Sequence, residues 1–177
     1  MKRNLVFLVV LLVALPTLTF SQMEPGSPAQ ARIQQEVRHE LLMLPYFGVF
    51  DNIEYGVDGD TVTLLGDVTR ATLKSDAENV VKRIEGVQHV VNKIEVLPPS
   101  PMDDQLRLAL YRAIYGFPAL EKYALGVQKP IRIIVKNGHV TLEGVVDSEA
   151  DKNLAGVRAN AVPGIFSVTN NLRVVPS

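Results

Sequence analysis

The sequence contains no cysteine, and this absence excludes several kinds of chemistry. Without cysteine there are no disulfide bridges, no thiolate metal sites, no cysteine nucleophiles and no lipid anchor attached to a cysteine. The fold must therefore be stabilised by packed apolar surface, and 47% of the residues are hydrophobic.

An excess of charge of either sign is also missing. The chain has 18 Lys plus Arg residues and 19 Asp plus Glu residues, for a formal net charge of −1. A general nucleic-acid-binding protein would carry a basic excess, so nucleic acid is excluded as a partner. The length of 177 residues allows one ordinary domain or two small ones.

The longest apolar run, residues 5–15, is too short to span a bilayer, because a transmembrane helix needs roughly 20 residues. It follows a basic pair at residues 2–3 and precedes a small-residue stretch at 17–21, which is typical of a secretory signal peptide. We therefore predict a signal peptide over residues 1–21 and a flexible leader over residues 22–26, so that the mature protein leaves the cytoplasm. An uncleaved membrane anchor is the alternative.

An internal repeat organises the rest of the chain. Shifting the sequence by 73 positions places the Ser-Pro pair at 27–28 on the one at 100–101. Shifting it by 78 positions aligns residues 57–98 with residues 135–176 without a gap. The difference means that the second repeat carries five additional residues within 119–130. We expect this insertion to lie in a loop.

Both repeats open with the signature of a helix start. Ser27 and Ser100 are N-cap residues, and each is followed by a proline at the first helical position. Gln30 and Asp103 stand at the third helical position, from which a side chain can reach back to the cap. Apolar residues then recur three and four apart until a proline stops each helix. Each repeat therefore begins with an amphipathic helix.

A period-two alternation of apolar and polar residues follows and predicts two strands. The Asp-Gly pair at 58–59 and the Asn-Gly pair at 137–138 lie between the strands and supply the positive φ angles of a tight turn. Each repeat therefore continues with a hairpin. Gly66 and Gly144 fall on its covered face, and we interpret them as packing positions at which a helix approaches the backbone closely.

A second amphipathic helix and a last strand complete each repeat. We expect Gly86 and Gly164 to end the helices with a positive φ angle, and the last strands to cover residues 90–96 and 168–174. The order helix, strand, strand, helix, strand predicts an α+β fold of two tandem α-β-β-α-β modules. Each module is a three-stranded sheet with two helices on one face, and its other face is left to solvent or to a neighbour.

The predicted domains are residues 27–98 and residues 102–177, joined by a stiff proline-containing linker over residues 99–101. Both are near the lower size limit for an independent core, so we expect contact between them. Their charges differ: residues 27–98 carry 7 basic and 11 acidic groups, for −4, whereas residues 99–177 carry 9 and 7, for +2.

The two modules resemble BON domains, small α-β-β-α-β units named after an osmotically induced periplasmic protein and nodulation proteins. The glycine-containing second strands, residues 62–68 and 140–146, carry the resemblance. The passages into the last strand, residues 86–92 and 164–170, carry it as well. The likeness covers residues 27–176, and the tandem order is similar to that of soluble two-module envelope proteins of Gram-negative bacteria.

The resemblance implies a periplasmic protein that binds phospholipid or other envelope components without catalysis, often under osmotic or membrane stress. It implies no cofactor. One branch of the family is anchored as a lipoprotein. This sequence departs from that branch because it has no cysteine.

No sequence pattern indicates an enzyme or a metal site. His39, His89 and His139 lack a second histidine or a carboxylate at the spacing of a metal pair. Neither a serine-nucleophile motif nor a phosphate-binding glycine loop occurs. Asn92 and Asn170 recur at equivalent positions, and we interpret them as residues whose side chains shape the turn before the last strand.

The second module is the better candidate for membrane contact, because an anionic lipid surface attracts its net positive charge and repels the first module. Its candidate binding residues are aromatic, apolar and basic side chains in and near the insertion: Phe117, Leu120, Lys122, Tyr123, Lys129 and Arg132. The leading hypothesis is reversible peripheral docking of this segment on anionic phospholipid. Alternatively, most of the large apolar residues there complete the core of the module.

A chaperone or adaptor that binds unfolded or assembling envelope proteins is the alternative function. Ile134 and Val145 would then be exposed on the open sheet face, and the sheet edges would accept an added strand. A structural part of a larger envelope assembly is a third hypothesis. The sequence leaves the oligomeric state open.

Overall fold

The structure of the protein, a computed structural model, describes residues 28–126 and 128–175. The predicted signal peptide, the predicted leader and the N-cap residue Ser27 lie outside these residues. Within them the same order of elements occurs twice, as the repeat predicts.

The first module has two helices and four strands: α1 Pro28–Leu42, β1 Asn52–Asp58, β2 Thr61–Val68, α2 Ala71–Val81, β3 His89–Asn92 and β4 Glu95–Val96. The second module has the same elements: α3 Pro101–Tyr115, β5 Ile131–Lys136, β6 His139–Val146, α4 Glu149–Asn160, β7 Ser167–Asn170 and β8 Arg173–Val174. An additional 3₁₀ helix, Pro118–Ala124, lies between α3 and β5.

Each module forms its sheet around a central strand. β2 pairs antiparallel with β1 and parallel with β3 and β4, and β6 pairs in the same way with β5, β7 and β8. Because β3 and β4 follow one another along the same side of β2, they occupy one strand position. The predicted sheet with two helices on one face is confirmed, with its last strand interrupted.

Two equivalent asparagines stand at the interruption. Asn92 Oδ1 accepts a hydrogen bond from the N–H of Ile94 at 3.1 Å, and its Nδ2 donates to the carbonyl of Lys74 in α2 at 2.8 Å. Asn170 makes the corresponding contacts in the second module at 3.3 and 2.8 Å. The prediction that these side chains shape the turn is confirmed, and they also fasten the strand to the second helix.

The helices of each module cover the same face of its sheet and bury a separate core. The first core is centred on side chains from α1, β2 and α2, among them Val37, Leu64 and Leu73. The second core is centred on the equivalent elements, with Leu110, Leu142 and Ala155. Burial of this apolar surface is the main stabilising contribution in a chain without disulfides.

The predicted cap of α3 is confirmed, but the side chain at the third helical position has another role. Ser100 Oγ accepts a hydrogen bond from the N–H of Asp103 at 3.2 Å. The buried Asp103 carboxylate accepts N–H bonds from Asn137 and Gly138 at 2.8 and 2.9 Å, so the expected reach back to the cap is wrong. Gln30 also donates to a carbonyl of β1 at 2.9 Å, while its own cap residue lies outside the described residues. In both modules this side chain ties the first helix to the hairpin.

The hairpin turns agree with prediction in the second module only. Asn137 and Gly138 both have positive φ angles, of 53° and 78°. In the first module Asp58 still pairs with Thr61, so Gly59 and the residue after it form the turn instead of the predicted Asp-Gly pair.

Gly66 and Gly144 are required by the path of the backbone. Their φ angles are 112° and 113°, a region that residues with a Cβ atom rarely adopt. A Cβ atom on Gly144 would lie 1.9 Å from the carbonyl oxygen of Pro130, and one on Gly66 would lie 2.2 Å from that of Asn52. The close neighbour is the start of the adjacent strand, so the predicted approach of a helix is wrong.

Gly86 and Gly164 have the predicted positive φ angles, of 94° and 87°. They do not end the helices directly, because α2 ends at Val81 and α4 at Asn160, with turns leading to the glycines. A Cβ atom on Gly86 would lie 3.2 Å from Cδ1 of Ile33. This glycine therefore also allows α1 to pack closely.

Candidate functional site

The insertion predicted as a membrane-binding loop is a 3₁₀ helix packed on the second core. Leu120 and Tyr123 are 0% and 7% exposed. The Tyr123 hydroxyl accepts a hydrogen bond from the N–H of Asp147 and donates one to Asp151, both at 2.8 Å. The predicted loop is therefore helical over residues 119–124 and irregular only in the described residues after them, and these two candidate residues belong to the core.

Lys122 is exposed but paired with two carboxylates. Its Nζ lies 2.9 Å from Oδ2 of both Asp147 and Asp151. The hydrogen bond from Lys122 holds the pKa of the Asp151 carboxyl below its usual value, and the bonds to Asp147 and Asp151 raise the pKa of Lys122. An anionic surface gains little from a charge that is already paired in this way.

Phe117 and Lys129 also make contacts within the second module. Phe117 packs half-buried against the core, and the guanidinium carbon of Arg158 lies 4.7 Å from the centroid of its ring. Lys129 Nζ donates hydrogen bonds to the carbonyls of Ala124 and Gly126 at 2.5 and 2.8 Å. These bonds fix the end of the 3₁₀ helix.

Arg132, the last of the predicted binding residues, contacts the first module. Its Nη1 donates to the carbonyl of Gly48 at 2.7 Å, and its guanidinium carbon lies 4.5 Å from the centroid of the Phe47 ring. Burial lowers the pKa of Arg132 from its usual value. This residue therefore belongs to the contact between the modules.

The loop between α1 and β1 also contributes to this contact. The carbonyl of Val49 accepts a hydrogen bond from the N–H of Ile133 at 2.8 Å, on the outer edge of β5. Val49 and Phe50 pack against the second core. An ion pair between Lys136 and Glu95, at 2.6 Å, joins the modules at a second place. The expected contact between the modules is present.

The sheet faces left open by the helices are partly turned toward the other module. Ile134, which the chaperone alternative requires to be exposed, is only 5% exposed. It lines a cleft together with Leu65 and Asp67 of β2, and Val145 is half-buried. The prediction for Ile134 is wrong, because its side chain is buried at a cleft that residues of both modules line.

A second cleft between the modules is lined by arginines and has a volume of about 610 Å³. We call it the arginine cleft, and define it by three residues: Arg38, Arg132 and Arg173. Its wall includes four apolar side chains, two from each module: Leu42, Phe47, Val145 and Val175. Neither Asp nor Glu is among the described residues that line it.

Two exposed apolar side chains lie at one end of the second module. Phe166 is 75% exposed, and Met102 at the start of α3 is 57% exposed. A Cβ atom on Gly164 would lie 3.7 Å from Cε of Met102, and one on Gly138 would collide with the ring of Phe166. Phe166 therefore lies beside the hairpin turn and Met102 beside the turn that precedes β7, and we call Met102 and Phe166 the apolar end.

The apolar end has no signal in any continuous segment of the sequence, since its two residues stand far apart in the chain. The signal lies in the differences between the repeats. At the shifts of 73 and 78, Met102 and Phe166 correspond to Ala29 and Gln88 of the first repeat. The apolar end is therefore specific to the second module.

The same comparison finds the basic residues of the arginine cleft. Arg132 and Arg173 correspond to Glu54 and Glu95 at the shift of 78. Arg38 comes from α1 of the first module, so neither module carries the complete set. Only the packing of the modules reveals that the three arginines line one cleft.

Within residues 28–126 and 128–175, no group of three or more His, Cys, Asp or Glu residues could hold a metal ion. Among the helices of these segments, none has the length and apolar character needed to cross a membrane. The arginine cleft and the apolar end are the candidate functional surfaces.

Two α-β-β-α-β modules in tandem define the class of protein to which this chain belongs. A sequence model of the BON domain matches residues 29–98 and 119–176, so the chain belongs to the BON domain family. The predicted tandem of BON domains is confirmed. Proteins of this family are generally non-catalytic.

Two solved structures are similar to this chain at low identity. The first is CdsD, a structural protein of the type III secretion system of Chlamydia trachomatis, with 15% identity over 82% of this chain and 93% of that chain, at a TM-score of 0.29. The second is the C-terminal domain of CdsD, with 14% identity over 83% and 99% of the two chains, at a TM-score of 0.30. No curated protein matches the chain. The family assignment therefore rests on the BON domain match.

Proposed function

We propose that this chain is a non-catalytic periplasmic protein that binds anionic phospholipid surfaces peripherally and supports envelope integrity under osmotic or membrane stress. Membership of the BON domain family supports this function in general terms. The proposal places the membrane contact at the apolar end of the second module, and not at the insertion that the sequence favours.

The exposure of the apolar end is the observation on which the proposal depends. Exposed apolar side chains at one end of a module can mark a contact with a partner or a membrane, and Met102 and Phe166 are both more than half exposed. The equivalent residues of the first module are Ala29 and Gln88, so this surface is not a general requirement of the fold. Met102 and Phe166 are also flanked by a helix start and a hairpin turn, from which side chains can project into the lipid headgroup region.

The expected energetics favour apolar insertion over charge. Burial of a Phe or Met side chain contributes about 1.5–3 kcal/mol. The net charge of +2 on the second module contributes less, because only basic groups near the surface add about 1 kcal/mol each. Binding should therefore prefer anionic vesicles but survive moderate salt.

The double substitution Met102→Ser with Phe166→Ser tests this function by vesicle sedimentation. We expect the unchanged protein to sediment with phosphatidylglycerol vesicles and much less with phosphatidylcholine vesicles. The double variant should bind at least about tenfold more weakly, because it loses both insertions. Its urea midpoint should change little, since both side chains are exposed.

Leu125→Ser is the matched control. Leu125 is exposed and follows the 3₁₀ helix, beyond the other end of α3. We expect it to bind vesicles like the unchanged protein. Loss of binding in this variant, with normal binding in the double variant, would place the membrane contact at the insertion. Failure of the unchanged protein to bind either vesicle would contradict the function itself.

A further inference from the structure

The arginine cleft holds cationic side chains without ionic partners. Arg38 and Arg173 form no ion pair and no side-chain hydrogen bond with the described residues. Arg132 is held by the carbonyl of Gly48, by Oε1 of Gln128 at 3.2 Å and by the Phe47 ring. All three guanidinium groups therefore lack a carboxylate partner within the described structure.

Three acidic groups lie near the cleft without forming an ion pair with its arginines. Asp51 is buried and accepts hydrogen bonds from the N–H of Gly48 and from the N–H and hydroxyl of Thr69. Glu54 and Glu143 line the neighbouring cleft together with Arg173, and each also accepts a hydrogen bond from an asparagine side chain. The positive field in the arginine cleft is therefore only partly compensated.

Burial makes the positive charge of Arg132 more costly to hold. Burial lowers the pKa of its guanidinium, while the charge of Asp51 acts in the opposite direction. A bound anion would offset the cost of holding this charge away from water. Arginine is suited to this role, because its planar donors match the oxygens of a phosphate group.

Apolar side chains line the cleft beside the arginines, and the ring of Phe47 lies under the guanidinium of Arg132. Leu42 and Phe47 come from the first module, and Val145 and Val175 from the second. An inorganic anion would leave this wall unused, whereas a phosphate ester with an alkyl tail would contact both parts of the cleft. A volume of about 610 Å³ is within the range of small-ligand sites.

We propose that the arginine cleft binds the phosphate group of a single amphiphilic phosphate ester between the two modules. Arg38 and Arg173 contact the phosphate oxygens, Arg132 supplies charge from the floor of the cleft, and the tail lies on the apolar wall. The site deepens the proposed function and rests on it, because a phospholipid is the expected source of such an ester. Both modules are required, which gives the tandem arrangement a binding role.

The test is a titration of the purified protein with dihexanoyl phosphatidylglycerol below its micelle concentration, followed by NMR of the backbone amides. We expect shifts concentrated at cleft residues such as Ile53, Val145 and Val175. The double variant Arg38→Gln with Arg173→Gln should bind at least about tenfold more weakly, as hydrogen bonds to charged groups are lost. The matched control is Arg83→Gln with Arg112→Gln, which removes one exposed arginine from each module outside the cleft. It should bind normally.

Two further probes identify the source of the phosphate. Glycerol 1-phosphate carries the phosphate without a tail, and octyl glucoside carries a tail without phosphate. Binding of glycerol 1-phosphate as tight as that of the lipid would support the phosphate site but assign it to a soluble ester. Shifts from octyl glucoside that do not depend on the arginines would overturn the proposal. Equal weakening in both double variants, or no shifts in the cleft with any probe, would also overturn it.

The outcome of the lipid titration can be distinguished from the outcome of the vesicle experiment. If vesicles do not bind but monomeric lipid binds the cleft, peripheral docking is wrong and the phosphate site stands. If vesicles bind through the apolar end but monomeric lipid leaves the cleft unchanged, the proposed function stands and the phosphate site is wrong.

Discussion

Replacing Gly144 by alanine is expected to lower the free energy of unfolding by at least about 3 kcal/mol. The φ angle of 113° is itself unfavourable for alanine. The new Cβ atom would also lie 1.9 Å from the carbonyl oxygen of Pro130, so β6 and the start of β5 would have to separate. Urea unfolding followed by circular dichroism measures the loss.

Gly56→Ala is the matched control for this substitution. Gly56 also lies in a hairpin strand, but a Cβ atom there would have no atom within 4 Å, and its φ angle is not positive. Alanine at this position is expected to be neutral, or to stabilise by about 0.4–1 kcal/mol through the unfolded chain. A similar loss in both variants would show that strain at Gly144 is not the cause.

Replacing Asp51 by alanine is expected to cost about 2–4 kcal/mol, because a buried hydrogen bond acceptor with several partners is lost. Its carboxylate accepts the N–H of Gly48 at 2.9 Å and the N–H and hydroxyl of Thr69 at 2.7 and 2.8 Å. These bonds shape the loop that presents the carbonyls of Gly48 and Val49 to the second module. We therefore expect both lower stability and a looser contact between the modules.

Urea unfolding and small-angle X-ray scattering measure the two effects of the Asp51 substitution. The radius of gyration should increase, since the modules lose a contact that holds them together. Asp58→Ala is the control, because Asp58 is exposed at the hairpin of the same module. An unchanged radius of gyration in a destabilised Asp51 variant would show that the loop is not the link between the modules.

Local patterns were sufficient to predict the helices and strands that the two modules share. Periods of two and of three to four residues are properties of neighbouring residues, and the equivalent occurrence of Asn92 and Asn170 indicated a shared hydrogen bond. The role of Gly144 was harder to predict from the sequence. A glycine in a strand indicates close approach, but its neighbour, here a backbone carbonyl, depends on strand register.

Two of the predicted site residues are buried for reasons that lie beyond local sequence. Leu120 and Tyr123 are buried because the insertion folds back as a 3₁₀ helix, which has too few residues for a recognisable period. Ile134 is covered because the other module lies over it. Contacts of this kind are set by packing between the modules, and no pattern within one repeat encodes them.

Differences between the repeats indicated the candidate functional residues better than the resemblance between them did. Equivalent residues that differ in chemistry, such as Gln88 and Phe166, separate the requirements of the fold from those of a particular module. The shared residues, among them the paired glycines and asparagines, maintain the fold.

Insertion of the apolar end into anionic membranes is the central claim, and tryptophan fluorescence tests it most directly. The chain has no tryptophan, so Phe166→Trp introduces a single reporter at the proposed contact. With phosphatidylglycerol vesicles, we expect its emission to shift to shorter wavelength and to become protected from an aqueous quencher. Phosphatidylcholine vesicles should produce little change. Emission that stays at the wavelength of exposed tryptophan, while the protein sediments with the anionic vesicles, would contradict the claim.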